Sequence, residues 1–162
     1  MLCICWKIIR KDNSKIEIEN VEYTIEDRKK YGKNIPKECT KIGNGCFEDN
    51  KEMKEIVIPK EIKELGKESF LYCINLEKII FEEGSEIKEI PEGCMKYCKK
   101  IETITLPTTI QKIKKEGFYY CSELKEIINL NRSIEYGESS FAECQQLIGK
   151  YSFLPSIVFK KK

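Results

Sequence analysis

From Ile35 onward the apolar residues keep neither the period of a helix nor the alternation of a lone strand. They recur at long, fixed intervals instead. Phe47, Phe70, Met95, Phe118 and Phe141 stand 23, 25, 23 and 23 residues apart. Three residues after each of these anchors come Asn50, Cys73, Cys98, Cys121 and Cys144. Six after come Met53, Leu76, Ile101, Leu124 and Leu147. Nine after come Ile56, Ile79, Ile104 and Ile127, a series that ends at Lys150. Eleven after come Ile58, Phe81 and Leu106, failing at Asn129. Before the anchors run two further columns, Ile42, Leu65, Ile90, Ile113 and Tyr136, and Cys39, Ile62, Ile87 and Ile110. The second of these ends at Ser133.

A segment of about 23 residues cannot bury its apolar side alone, but stacked copies bury it against one another. The columns therefore predict a ladder of inward side chains, each Phe contributing on the order of 1.5–3 kcal/mol by burial. Within a unit, the stretch before Pro59 or Pro107 reads as a short strand, stopped because proline has no amide to donate. The stretch before Gly43, Gly66 and Gly137 reads as a second extended piece, and the segment from anchor to Cys as a 3₁₀ turn. Repetition of one coil direction makes neighbouring strands parallel. The single longer step is explained by FEEGSEIKEI, where Glu82–Gly84 loop out after a strand.

Units such as IPKEIKELGKESFLYCINLEKIIF and LPTTIQKIKKEGFYYCSELKEII resemble the BspA-like class of leucine-rich repeat. The likeness covers about Ile35 to Leu147 and agrees in order, spacing and residue type. It implies an α/β repeat fold, mostly β with short 3₁₀ turns. The fold would be a right-handed leucine-rich-repeat solenoid with parallel strands and about five coils. The family's roles imply adhesion or surface recognition. Residues 35–147 are then the repeats, 1–34 an N-terminal cap and 148–162 a C-terminal cap or tail. Trp6–Arg10 and Lys15–Glu19 read as a hairpin turning at Lys11–Ser14, and Val21, Tyr23 and Ile25 alternate again. A degenerate coil ending at Ile35-Pro36 is the competing reading of this part. In the tail, Tyr151, Phe153 and Pro155 offer room for one more strand.

Composition narrows the chemistry. Lys and Arg number 29 against 27 Asp and Glu, for a net charge of +2, which argues against a nucleic-acid binder with a clustered basic face. There is no histidine, so the commonest general base and metal ligand are missing. No nucleophile–base pair, phosphate-cradling loop or metal-ligand cluster is visible, and neither catalytic residues nor a cofactor or metal are expected. Nine cysteines are an odd number, leaving at least one thiol free or paired between molecules. The Cys73, Cys98, Cys121, Cys144 ladder spreads sulfur along a line, whereas zinc needs four ligands converging on a point. Small core thiols explain it better. Cys3 and Cys5 are too few to hold a metal and read as part of an apolar cap strand. MLCICWKIIRK lacks the apolar stretch of a signal peptide, and no run is long enough to span a membrane. Both a cytoplasmic and a non-classically surface-exposed setting stay open.

What remains is the outward side of the strands. Its columns read Val57, Ile80, Thr105, Ile128, then Glu55, Lys78, Thr103, Glu126. In a leucine-rich repeat such positions line the concave face, where partners commonly dock. A β-branched apolar stripe flanked by charge suits a protein ligand, although β-branched residues also simply suit strands. The expectation is a non-enzymatic protein-interaction module. An intracellular scaffold that self-associates through its coil edges is the alternative. Phe70→Ala or Phe118→Ala should each cost roughly 3–5 kcal/mol, while Lys67→Ala should cost almost nothing. Urea denaturation of the three variants decides whether the anchor column faces inward.

Overall fold

The computed structural model describes residues 9–11, 15–17 and 21–160. Cys3, Cys5 and the turn at 12–14 lie outside the described residues. Strands β1 (Ile9–Lys11) and β2 (Lys15–Glu17) pair antiparallel, with Arg10 opposite Ile16, as the hairpin pattern predicts. Strand β3 (Glu22–Tyr23) then takes its place beside the first coil. The alternation does not continue to Ile25, which instead opens helix α1 (Ile25–Tyr31). A reciprocal cap causes the switch. Thr24 Oγ1 accepts from the Asp27 amide and Asp27 Oδ2 accepts from the Thr24 amide, satisfying two donors that a helix start leaves unpaired.

Each coil has three sides. The first carries the strands before the prolines, β5 (Glu55–Ile58), β7 (Lys78–Phe81), β9 (Thr103–Thr105) and β11 (Glu126–Ile128). The second carries β4 (Lys41–Ile42), β6 (Glu64–Leu65), β8 (Glu89–Ile90), β10 (Lys112–Ile113) and β12 (Glu135–Tyr136). All their pairings are parallel and in register with the sequence columns, Ile56 beside Ile79 and Ile104 beside Ile127. The anchors Phe47, Phe70, Met95, Phe118 and Phe141 are all fully buried, and so is the aliphatic column six residues on, save a trace at Met53. Rings stack along the axis, Phe47 lying 5.3 Å from Phe70 and Phe118 5.5 Å from Phe141.

The third side is a run of tight turns closed three residues back, as the 3₁₀ reading of the segment from anchor to Cys expects: Cys73, Cys98, Cys121 and Cys144 donate to the carbonyls of Phe70, Met95, Phe118 and Phe141. In the first coil, Cys46, Glu48 and Asn50 donate three residues back to Gly43, Gly45 and Phe47. The intervening amides cross to the next coil, Gly45 to Lys67, Phe47 to Ser69 and Asp49 to Leu71. The same three crossings recur from Glu68, Phe70 and Tyr72, from Gly93, Met95 and Tyr97, and from Glu116, Phe118 and Tyr120. All run forward, from one coil to the next. Aiming every second amide outward requires left-handed backbone two residues either side of the anchor, as at Glu68 (φ 56°) and Tyr72 (φ 57°). Close stacking also fixes Gly66, where a Cβ would fall 2.3 Å from the Gly43 carbonyl carbon.

The 25-residue coil leaves a mark. Its extra residues form a turn after β7, with Gly84 at φ 83° and the Ser85 amide on the Glu82 carbonyl. Both strand ladders are interrupted at this coil, β5–β7 from β9–β11 and β3–β4–β6 from β8–β10–β12. The turn ladder continues across the interruption.

The thiol column has a role that spacing alone does not show. Cys73 Sγ donates to the Phe47 carbonyl at 3.0 Å, Cys98 to Phe70 at 3.2 Å, Cys121 to Met95 at 3.2 Å and Cys144 to Phe118 at 3.0 Å. Each thiol thus reaches back to the anchor of the preceding coil. The first coil holds Asn50 instead, whose side chain accepts from the Met53 amide. Burial pushes the Cys46 and Cys94 thiols up to about 12 and raises Cys98 and Cys121 as well. All seven cysteines from Cys39 to Cys144 are buried, and none of the seven is in a disulfide.

Removing the donor in Cys98→Ala should cost about 1–2 kcal/mol, and Cys98→Ser should retain more stability than Ala because a hydroxyl still donates. Urea midpoints of the pair test this; Ser falling below Ala would make the thiol a filler only. A raised thiol pKa also has a pH signature. The folded state keeps these protons where the unfolded chain, near 9, has lost them. Unfolding therefore releases protons, so stability should fall as pH rises from about 9 to about 12 and be unaffected by these thiols below that window. Denaturation midpoints across that range check the sign.

Candidate protein-interaction surface

The outward strand residues stand where alternation puts them. Every second residue of β5, β7, β9 and β11 fills the core, so the neighbours Val57, Ile80, Thr105 and Ile128 are forced into solvent. Val57 and Ile80 are each 45% exposed and Ile128 is 44% exposed. Register sets Val57 directly beside Ile80 and Thr105 beside Ile128. Between the two pairs lies the interruption of the strand ladder, so the stripe is built from two sheets.

The charged column runs parallel to it. Glu55 sits beside Lys78 and Thr103 beside Glu126. Lys33 Nζ lies 3.4 Å from the Glu55 carboxylate and also donates to its carbonyl, while Glu126 faces Lys150 at 3.7 Å. Glu55 and Lys78 share an open cleft of about 1010 Å³ whose other wall is Arg28 in α1 with Gly32 and Lys33 just after it. Lys78 and Thr103 line a second one of about 460 Å³. Neither cleft gathers a nucleophile with a base, and among the described residues no three His, Cys, Asp or Glu side chains converge as a metal site would require. Exposed opposite charges at these distances contribute little to stability.

A second surface was not singled out by spacing. Tyr72, Tyr97 and Tyr120 occupy one column on the turn side, at φ 57°, 63° and 59°. Left-handed backbone costs a bulky residue roughly 1–2 kcal/mol, and the same column holds Asp49 and Glu143 in the outer coils. Tyr72 stacks on Tyr97 at 4.7 Å and Tyr97 approaches Tyr120 at 5.2 Å, bridging the coils between which the strand ladders stop. Lys96 Nζ lies 4.9 Å from the Tyr119 ring centre while pairing with the buried Glu116 carboxylate, and Lys99 lies 5.4 Å from that of Tyr120. Loss of solvent in the stack, with Tyr119 and Tyr72 beside it, raises the Tyr97 phenol above its ordinary range. Tyr72 and Tyr120 are exposed and Tyr97 between them is half-buried. The sequence signal was Tyr-Cys, repeated at 72–73, 97–98 and 120–121.

No helix among the described residues is long and apolar enough to cross a membrane. The profile of the BspA type leucine rich repeat region matches the chain in six copies over residues 30–154. No curated protein matches it. A leucine-rich repeat protein from Bacteroides ovatus is 25% identical and superposes with a TM-score of 0.60 over 67% of this chain and 28% of its own. Another from Eubacterium ventriosum, 18% identical, superposes with a TM-score of 0.61 over 76% of this chain and 39% of its own. The chain thus spans less than half the length of either relative, and the second likeness bears on fold alone. Leucine-rich repeats typically serve as non-enzymatic scaffolds for protein binding. Columns, coil geometry and profile agree, and the chain belongs to the BspA-type leucine-rich-repeat family.

Proposed function

We propose that the chain is a non-enzymatic interaction module whose strand face docks a protein ligand. The repeats at 35–147 carry that face, with residues 1–34 and 148–162 closing the two ends. Adhesion or surface recognition is the setting we favour, in line with the family's roles. The observation that carries the reading is the stripe. Three of its four residues, Val57, Ile80 and Ile128, are large apolar side chains held nearly half-exposed in a row, where solvent favours polar groups and a docked ligand favours apolar ones. Glu55, Lys78, Thr103 and Glu126 beside them supply the polar rim that fixes register and partner choice.

The ends of the stack argue against the alternative of edge-to-edge association. Arg28 covers the Glu48 carbonyl of the first coil and Lys33 the Glu55 carbonyl of β5, so backbone groups that a neighbouring chain would use are occupied. The double variant Val57→Glu with Ile80→Glu should leave the urea midpoint within about 0.5 kcal/mol of the parent, since both positions face solvent. It should also abolish capture of the ligand from a candidate extract. Retained capture with retained stability would remove the stripe from consideration. Surface biotinylation of intact cells tests the setting separately, labelling the protein only if it is displayed outside.

A further inference from the structure

Strand β11 ends its sheet, and nothing in the repeat pattern covers it. The chain covers it by improvisation. The Tyr151 hydroxyl accepts from the Ile127 amide at 2.9 Å and donates to the Ile127 carbonyl at 3.2 Å. Lys150 Nζ donates to the Lys125 carbonyl at 2.8 Å. On the turn side, the forward-pointing amides of Ser139 and Phe141 would meet the next coil, had there been one. They meet the carbonyls of Ile157 and Val158 at 3.0 and 2.9 Å, in a short 3₁₀ helix spanning Ser156–Phe159. Val158 is fully buried there, and the Phe159 ring sits 6.5 Å from that of Phe141. Residues 150–160 thus imitate a further coil without its sequence. No strand forms at Tyr151–Pro155, where the tail pattern left room for one.

We infer that the segment 148–160 is a guard that keeps β11 from pairing with β11 of a second copy of this chain. The identity of the excluded partner follows from what Tyr151 replaces. A residue in a hydrogen-bonded antiparallel pair offers its opposite one acceptor and one donor. The hydroxyl of Tyr151 offers both to Ile127 from a single oxygen. Placed on a two-fold axis, Ile127 of each copy gives its amide to the carbonyl of the other and recovers the same two bonds. Two-fold pairing is also the commonest closed assembly, and it stops at two copies because the contact consumes the edge on both sides. Ile128, 44% exposed next to Ile127, would be carried by this pairing towards the partner's strand, so the outward stripe would run across the axis. A short unguarded edge strand with an apolar outer face is a standing hazard for association, which gives the guard its purpose.

The test uses the full chain and light scattering over a range of concentrations. Tyr151→Phe removes the plugging oxygen and keeps the ring. Val158→Asp places a carboxylate in a buried site and expels the 3₁₀ helix. The parent should hold the mass of one chain throughout. The double variant should shift to the mass of two chains as concentration rises, with its circular dichroism unchanged. Three results overturn the proposal: a double variant that stays single with an intact spectrum, a parent that pairs equally well, or association that continues past two copies. Should the double variant lose its spectrum, Tyr151→Phe alone is judged by the same criteria, since it deletes one oxygen from a half-buried side chain.

Discussion

The structure depends on one forward-running set of hydrogen bonds. On the turn side, alternate amides of each coil donate to the carbonyls of the next, and those between them close turns within the coil. Buried backbone groups must find partners, and this arrangement supplies them without a strand. It is also the ladder that survives where the long coil interrupts both sheets. The thiols complete it. Each one gives the preceding anchor's carbonyl a second donor, from a side chain small and apolar enough to lie among Phe and Leu. The sulfurs of Cys73, Cys98, Cys121 and Cys144 are each aimed at a carbonyl, one per coil along a line.

A polar ladder has unlike ends, and both are handled by side chains. The first coil presents carbonyls with no coil before it, and cationic donors from Arg28 and Lys33 occupy two of them. The last coil presents amides, and carbonyls from the tail together with one phenol receive them. The remaining surface is then the outward side of the strands and the edges of the turns. The first exposes an apolar stripe because core alternation leaves Val57, Ile80 and Ile128 no other direction. The second exposes tyrosines on strained backbone. In both cases coil geometry decides where the side chain points, and the residue type decides what it offers a partner.

The sequence by itself determined the stack: its anchors, its coil length, the extra turn at Glu82–Gly84, the strand positions and the outward columns. Inward residues repeat because each must match the residue above it, so the constraint is written out at every coil. Helix α1 was also legible in principle, since Thr24 and Asp27 form a local cap, but strand-like alternation through Val21 and Tyr23 masked it. Only the tertiary structure decided the rest. It showed which carbonyl each thiol faces, that the tyrosine column stands on left-handed backbone, and that a hydroxyl at Tyr151 stands in for a missing strand. The thiol and phenol contacts join groups more than twenty residues apart, and the left-handed backbone follows from the bonds between stacked coils. A repeat announces itself by recurrence, whereas a contact made once is visible only when the coils are stacked.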